Sequence, residues 1–84
     1  MIDIEIKEKV KLTDIIVNFD ENKIYQIQNL NSYPLRIIQG DNTERNLKLI
    51  QDMCFLFQKG TIDYYIEPWN AGTVCNVNYW ELEE

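Results

Sequence analysis

The sequence predicts an all-β domain: a small sandwich or barrel of about seven short antiparallel strands. Several stretches alternate apolar and polar residues with a period of two, the pattern of a strand with one wet face. Turn-forming Gly, Asn, Asp and Pro residues punctuate the chain about every ten residues, the spacing of a meandering β domain. The stretches between them are rich in β-branched and aromatic side chains, which suit a pleated, half-buried surface. With 84 residues the chain has room for one hydrophobic core, so residues 1–84 are expected to form a single domain. The apolar fraction of 45% is enough to fill that core and excludes a disordered chain.

Taken in order, Ile2, Ile4 and Ile6 alternate with Asp3, Glu5 and Lys7, and Val10 and Leu12 carry the alternation onward against Lys9 and Lys11. Ile15, Ile16, Val17 and Phe19 form a short apolar run that Asp20-Glu21-Asn22 ends, because Asp and Asn side chains bond nearby backbone. A strand is predicted from Lys23 to Leu30. Another runs from Leu35 to Gln39, with Pro34 at its start because proline cannot donate to a ladder. Gly40-Asp41-Asn42 turns the chain. Thr61 to Glu67 and Thr73 to Leu82 are further strands, separated by Pro68 and the Asn70-Ala71-Gly72 turn. In the last strand Cys75, Val77 and Tyr79 share one face, opposite Val74, Trp80 and Leu82.

The stretch from Thr43 to Gln58 fits two periods. A helical reading gathers Leu47, Ile50, Met53, Cys54 and Phe57 on one side, capped by Asn42 or Thr43 and stopped by Gly60. A strand reading places Leu47 with Leu49, then Met53, Phe55 and Phe57, with Gln51-Asp52 as the break. The helical alternative would make the domain α+β, with one helix at 43–58 packed on an antiparallel sheet.

The residue inventory excludes most catalytic and metal chemistry. There is no histidine, the commonest general base and metal ligand. Cys54 and Cys75 form no CxxC pair, so a zinc site lacks ligands, and neither has a histidine to generate a thiolate. They could form one disulfide. The opening Met-Ile-Asp-Ile-Glu is a strand pattern and not a signal peptide, so reduced, buried thiols in a cytosolic product are the default expectation. Phosphate-binding glycine motifs are missing, and the acids sit in turns or alternate outward, where solvation explains them. No enzyme, cofactor or metal is expected. A net charge of −6 argues against nucleic acid, and no apolar stretch is long enough for a membrane helix. Lys7, Lys9 and Lys11 interrupt the acids near the start, and Glu81, Glu83 and Glu84 gather at the end.

Aromatic residues gather at Tyr64, Tyr65, Trp69, Tyr79 and Trp80. Neighbours on a strand point to opposite faces, so one member of Tyr64-Tyr65 and one of Tyr79-Trp80 is expected to face outward, where such rings serve as contact anchors. Tyr33, Trp69 and Trp80 are the candidate protein-interface residues.

The text Ile-Tyr-Gln-Ile-Gln-Asn-Leu-Asn-Ser-Tyr-Pro-Leu-Arg-Ile-Ile-Gln, ending at Gln39, resembles small head-decoration and tail-accessory β-sandwiches of tailed bacteriophages. The resemblance continues at Phe57-Gln58-Lys59-Gly60, Tyr64-Tyr65-Ile66, Gly72-Thr73, Val77 and Trp80-Glu81, spanning roughly residues 15–82. Gln51-Asp52 stands where that family carries a Pro-Gly turn, and Asp41 to Asn46 replaces its small-residue loop. The resemblance implies strands at 43–58 and a non-catalytic structural or accessory role. Such a protein would bind capsid, tail or copies of itself, as a homo-oligomer located in the virion, or in the host cytoplasm during assembly. The alternative function is a small acidic inhibitor of the counter-defence kind, which occupies a basic site on a host enzyme.

Overall fold

The computed structural model describes residues 2–40 and 42–82. Of the segments singled out above, Asp41 in the turn and Glu83 and Glu84 of the acidic run lie outside the described residues. The strands are β1 (Ile2–Ile6), β2 (Val10–Lys11), β3 (Tyr25–Asn29), β4 (Leu35–Gln39), β5 (Asn42–Leu49), β6 (Cys54–Phe57), β7 (Tyr64–Pro68) and β8 (Cys75–Glu81). One helical turn, α1 (Leu12–Ile15), follows β2. The strands form two antiparallel four-stranded sheets, β1-β8-β3-β6 and β2-β7-β4-β5. The all-β sandwich is therefore the fold, with eight strands among the described residues where the sequence suggested about seven.

Strand alternation builds the core. Ile6, Tyr25, Ile27, Phe57, Val77 and Tyr79 of the first sheet meet Leu35, Ile37, Leu49 and Ile66 of the second in one buried cluster. In β3 the buried Tyr25, Ile27 and Asn29 alternate with half-buried Gln26 and Gln28, as period two requires. In β8 Cys75, Val77 and Tyr79 are buried, on the face the alternation assigned to them.

Strands, and not a helix, occupy 43–58. The chain turns at Ile50–Met53, where the Met53 amide donates to the Ile50 carbonyl at 3.0 Å. Asp52 takes a φ of 66°, a left-handed conformation that stops a helix and that Asp tolerates better than most residues. On either side the backbone finds long-range partners: Leu49 opposite Leu35, and Phe57 opposite Tyr25. Burying Leu49 and Phe57 in the common core decides between the two periods.

The apolar run at 15–19 belongs to no strand. From the end of α1 it closes one end of the sandwich, with Ile16 buried and the Phe19 ring tilted 5.4 Å from Tyr25 and stacked 5.8 Å from Phe57. Two buried tyrosines hold this segment through their hydroxyls. Tyr79 Oη accepts from the Val17 amide and Tyr25 Oη from the Asp20 amide, each at 2.9 Å.

Cys54 and Cys75 are both free thiols. β3 separates their strands, and Cys75 points into the core while Cys54 lies on the opposite face from Phe57. Burial pushes the Cys75 thiol above its ordinary 9.0, partly offset by a hydrogen bond with the Thr73 side chain. A raised folded value leaves stability intact below the ordinary pKa and erodes it as pH rises through the folded one. Thermal unfolding is therefore expected at lower temperature above about pH 9 in the wild type than in Cys75→Ala, once each is normalised to pH 7. A maleimide is expected to label Cys54 in the native protein and Cys75 only after unfolding.

Candidate interaction surfaces

Three surfaces stand out once the core is accounted for. The first is the open side of the sandwich. β5 and β6 are consecutive in the chain, yet each is the edge of a different sheet, bonded to β4 and β3 respectively. Among the described residues neither has a second strand neighbour, so each presents a row of unmatched backbone groups. Leu47, Ile50 and Met53 are exposed along this side, and Leu56, 60% exposed, borders it on the outer face of edge strand β6, opposite Gln26. Between the two edges opens a cleft of about 340 Å³, with Ile37, Leu47, Phe55 and Tyr64 in its lining. The sequence of β6 is Cys-Phe-Leu-Phe, an edge strand without a single charge to discourage pairing.

The second surface is the outer face of β2-β7-β4-β5. Arg36 lies opposite Glu67 on β7 and opposite Lys48 on β5. Its Nη1 donates to Glu67 Oε1 at 3.0 Å, and its guanidinium carbon sits 4.4 Å from the centre of the Trp69 ring. Lys48 Nζ lies 5.1 Å from that ring, and Lys9 Nζ 4.7 Å from the ring of Tyr65. Ile38, in register with Tyr65, is buried on this face and not in the main core cluster. The third surface is the outer face of β8-β3-β6, where Trp80 lies opposite Gln26 and Asn78 opposite Gln28.

The three predicted contact residues do not form one surface. Tyr33, 54% exposed, sits in the β3–β4 loop beside Pro34, whose carbonyl accepts the Trp69 amide at 3.0 Å. Those two share one end of the molecule, but Trp69 is half-buried beneath its own cations. Trp80 is also half-buried, on the other sheet and near the start of β3, whereas Tyr33 follows its end. Within the aromatic pairs, Tyr64 turns inward against Phe55 and Phe57 and Tyr65 turns outward under Lys9.

The open side went unnamed at the level of sequence, although a signal for it existed. Once Phe55 and Phe57 share one face of a strand, Leu56 must occupy the other, and β6 becomes apolar on both sides. The cation–ring stack had no comparable signal, because it depends on cross-strand register.

The fold and surfaces define a small β-sandwich with an open apolar edge. Comparison with protein-family models, with curated proteins and with solved structures finds no match. Among the described residues no cluster of His, Cys, Asp and Glu is placed to hold a metal ion, and no helix is long and apolar enough to cross a membrane.

Proposed function

We propose that this chain is a non-catalytic assembly protein that binds copies of itself, or another structural protein of a particle, through the open side of its sandwich. The observation that carries the reading is the pair of adjacent edge strands, β5 and β6, with Leu47, Ile50, Met53 and Leu56 exposed along them. An edge rich in apolar side chains and free ladder groups gains both burial and backbone hydrogen bonds when a second strand joins it. The resemblance of residues 15–82 to phage head-decoration and tail-accessory sandwiches supports a virion as the setting.

Light scattering behind size exclusion, at low and at high salt, tests this directly. The expected result is an oligomer whose mass is insensitive to salt and which falls to monomers on Leu56→Lys. Because Leu56 is exposed, that substitution is expected to change the stability of the isolated subunit by no more than about 0.5 kcal/mol. A monomer at both salts would remove self-assembly as the function. If that monomer bound a basic host enzyme in a salt-sensitive manner, the acidic-inhibitor reading would replace it.

A further inference from the structure

We propose that β6 pairs antiparallel with β6 of a second copy of this chain, about a two-fold axis through Phe55, so that the two β1-β8-β3-β6 sheets become one. The pairing rests on the self-assembly reading above and names the strand and the register that carry it. Among the described residues the two sheets have four edge strands, β1, β6, β2 and β5. Three of them have a feature that discourages a further strand. β2 is two residues long, and β1 places Asp3 and Glu5 between its isoleucines. β5 contains Glu44, Arg45 and Lys48, and its register with β4 shifts between Ile38 and Gln39. β6 has no charge, no proline and no irregularity in its pairing with β3.

The backbone groups that β6 offers follow from its neighbours. The Asn29 amide donates to the Met53 carbonyl at 3.1 Å. Across β3, the Leu30 amide donates to the Asn76 carbonyl and the Leu82 amide to the Ile24 carbonyl. Odd-numbered residues along β3 therefore turn their backbone groups to β6, and even-numbered ones turn theirs to β8. Phe55 and Phe57 accordingly bond to β3, while Cys54 and Leu56 direct their amides and carbonyls outward. One two-fold register within β6 uses all of these free groups. It sets Cys54 opposite Leu56 of the second copy, each pair exchanging both ladder bonds, and Phe55 opposite its own counterpart. Opposed residues must share a face, and here they do. Cys54 and Leu56 are on the outer face, and Phe55 is on the inner one beside Tyr64. A slip of one residue would set Cys54 against Phe57, an outer side chain against an inner one.

Charge complementarity selects the antiparallel direction and a second copy as the occupant. Asp52 precedes β6 and Lys59 follows it, both exposed and in none of the ion pairs among the described residues. Antiparallel pairing brings the Asp52 end of each copy to the Lys59 end of the other, whereas parallel pairing would place like charges together. A net charge of −6 opposes close approach of two copies, and an uncharged strand flanked by one acid and one base lowers that barrier locally. Exposed ion pairs add little affinity, so they orient the contact while ladder bonds and apolar burial hold it. Leu56, 60% exposed in the single subunit, gains Cys54 of the second copy as a neighbour on its own face.

Hydrogen exchange followed by NMR on the wild type reads the pairing amide by amide. The Cys54 and Leu56 amides are expected to exchange at least about tenfold more slowly in the oligomer than in the monomer obtained by dilution. In this register the two Cys54 residues are diagonal neighbours about 7–8 Å apart. A short bis-methanethiosulfonate is therefore expected to link them into a covalent dimer, Cys75 being buried. Leu56→Pro removes a donor that points away from β3, and is expected to give folded monomers that no longer cross-link. Should that variant unfold, amide protection in the wild type decides alone. An oligomer that protects β5 amides in place of Cys54 and Leu56, or that survives in folded Leu56→Pro, overturns the pairing and leaves the self-assembly reading standing. A monomer at every concentration overturns both.

Discussion

Replacing Asn29 with leucine is expected to lower the unfolding free energy by about 2–6 kcal/mol, although leucine is close in size and far more apolar. Asn29 is completely buried in β3, and every one of its polar atoms is engaged. Its Nδ2 donates to the Leu49 carbonyl at 2.8 Å and the Tyr33 carbonyl at 3.0 Å, and its Oδ1 accepts from the Asn31 amide at 2.9 Å. One side chain therefore ties the first sheet to the end of β5 in the second and to the loop that carries Tyr33. Leucine would strand the Leu49 carbonyl where water does not reach, at about 1–3 kcal/mol, and forfeit roughly 0.5–1.5 kcal/mol at each of the two less buried contacts. Urea unfolding should show a lower midpoint with an unchanged slope, and the Asn31 amide should exchange hydrogen faster. A loss below about 1 kcal/mol would show that this network contributes little net stability.

The second large effect is expected at Ile66. It is fully buried in β7, between Val10 on β2 and Ile37 on β4. Ile66→Ala removes three carbons from the middle of the second sheet's inner face, where paired strands on both sides prevent collapse into the space. Such truncations cost about 2–5 kcal/mol, and this rigid site belongs in the upper half of that range. A domain of this length has a total stability of roughly 4–12 kcal/mol, so the variant should lose a large fraction of it. The melting temperature should fall by more than about 12 °C, and calorimetry would read this directly. A shift of only a few degrees would mean that the two sheets close over the gap. Both effects contrast with the small change expected at exposed Leu56, which separates residues that hold the fold from residues offered to a partner.

How far the sequence spoke for the structure depended on whether one period fitted. Ile2, Ile4 and Ile6 and the Tyr25–Asn29 stretch admit only a strand, and both are strands. At 43–58 two periods fitted equally, and the tie was broken by partners distant in sequence, Leu35 for Leu49 and Tyr25 for Phe57. No local pattern contains that information. Similarly, the outward turn of Tyr65 was legible from alternation, but the Trp69 stack was not. It needs Arg36 opposite Lys48, a register set beside an irregularity between Ile38 and Gln39. Asn29 read as an ordinary strand residue, because a buried amide and an exposed one look alike until the carbonyls around it are known.

The pairing of β1 with β8, Ile4 opposite Val77 and Ile6 opposite Cys75, has a consequence for how the protein is made. On the ribosome β1 emerges before β2 to β7, and β8, its one sheet neighbour among the described residues, emerges after them, so Ile4 and Ile6 wait unshielded while those strands are made. β3 waits too, since β6 can reach one of its edges early but β8 covers the other only after β7 has been made. Closing a contact across that much chain is slow, and the interval leaves sticky strand surface open to neighbouring nascent copies. Joining β8 directly ahead of β1 in a circularly permuted gene would make that ladder a local hairpin, and should shorten the vulnerable interval without altering the finished sandwich.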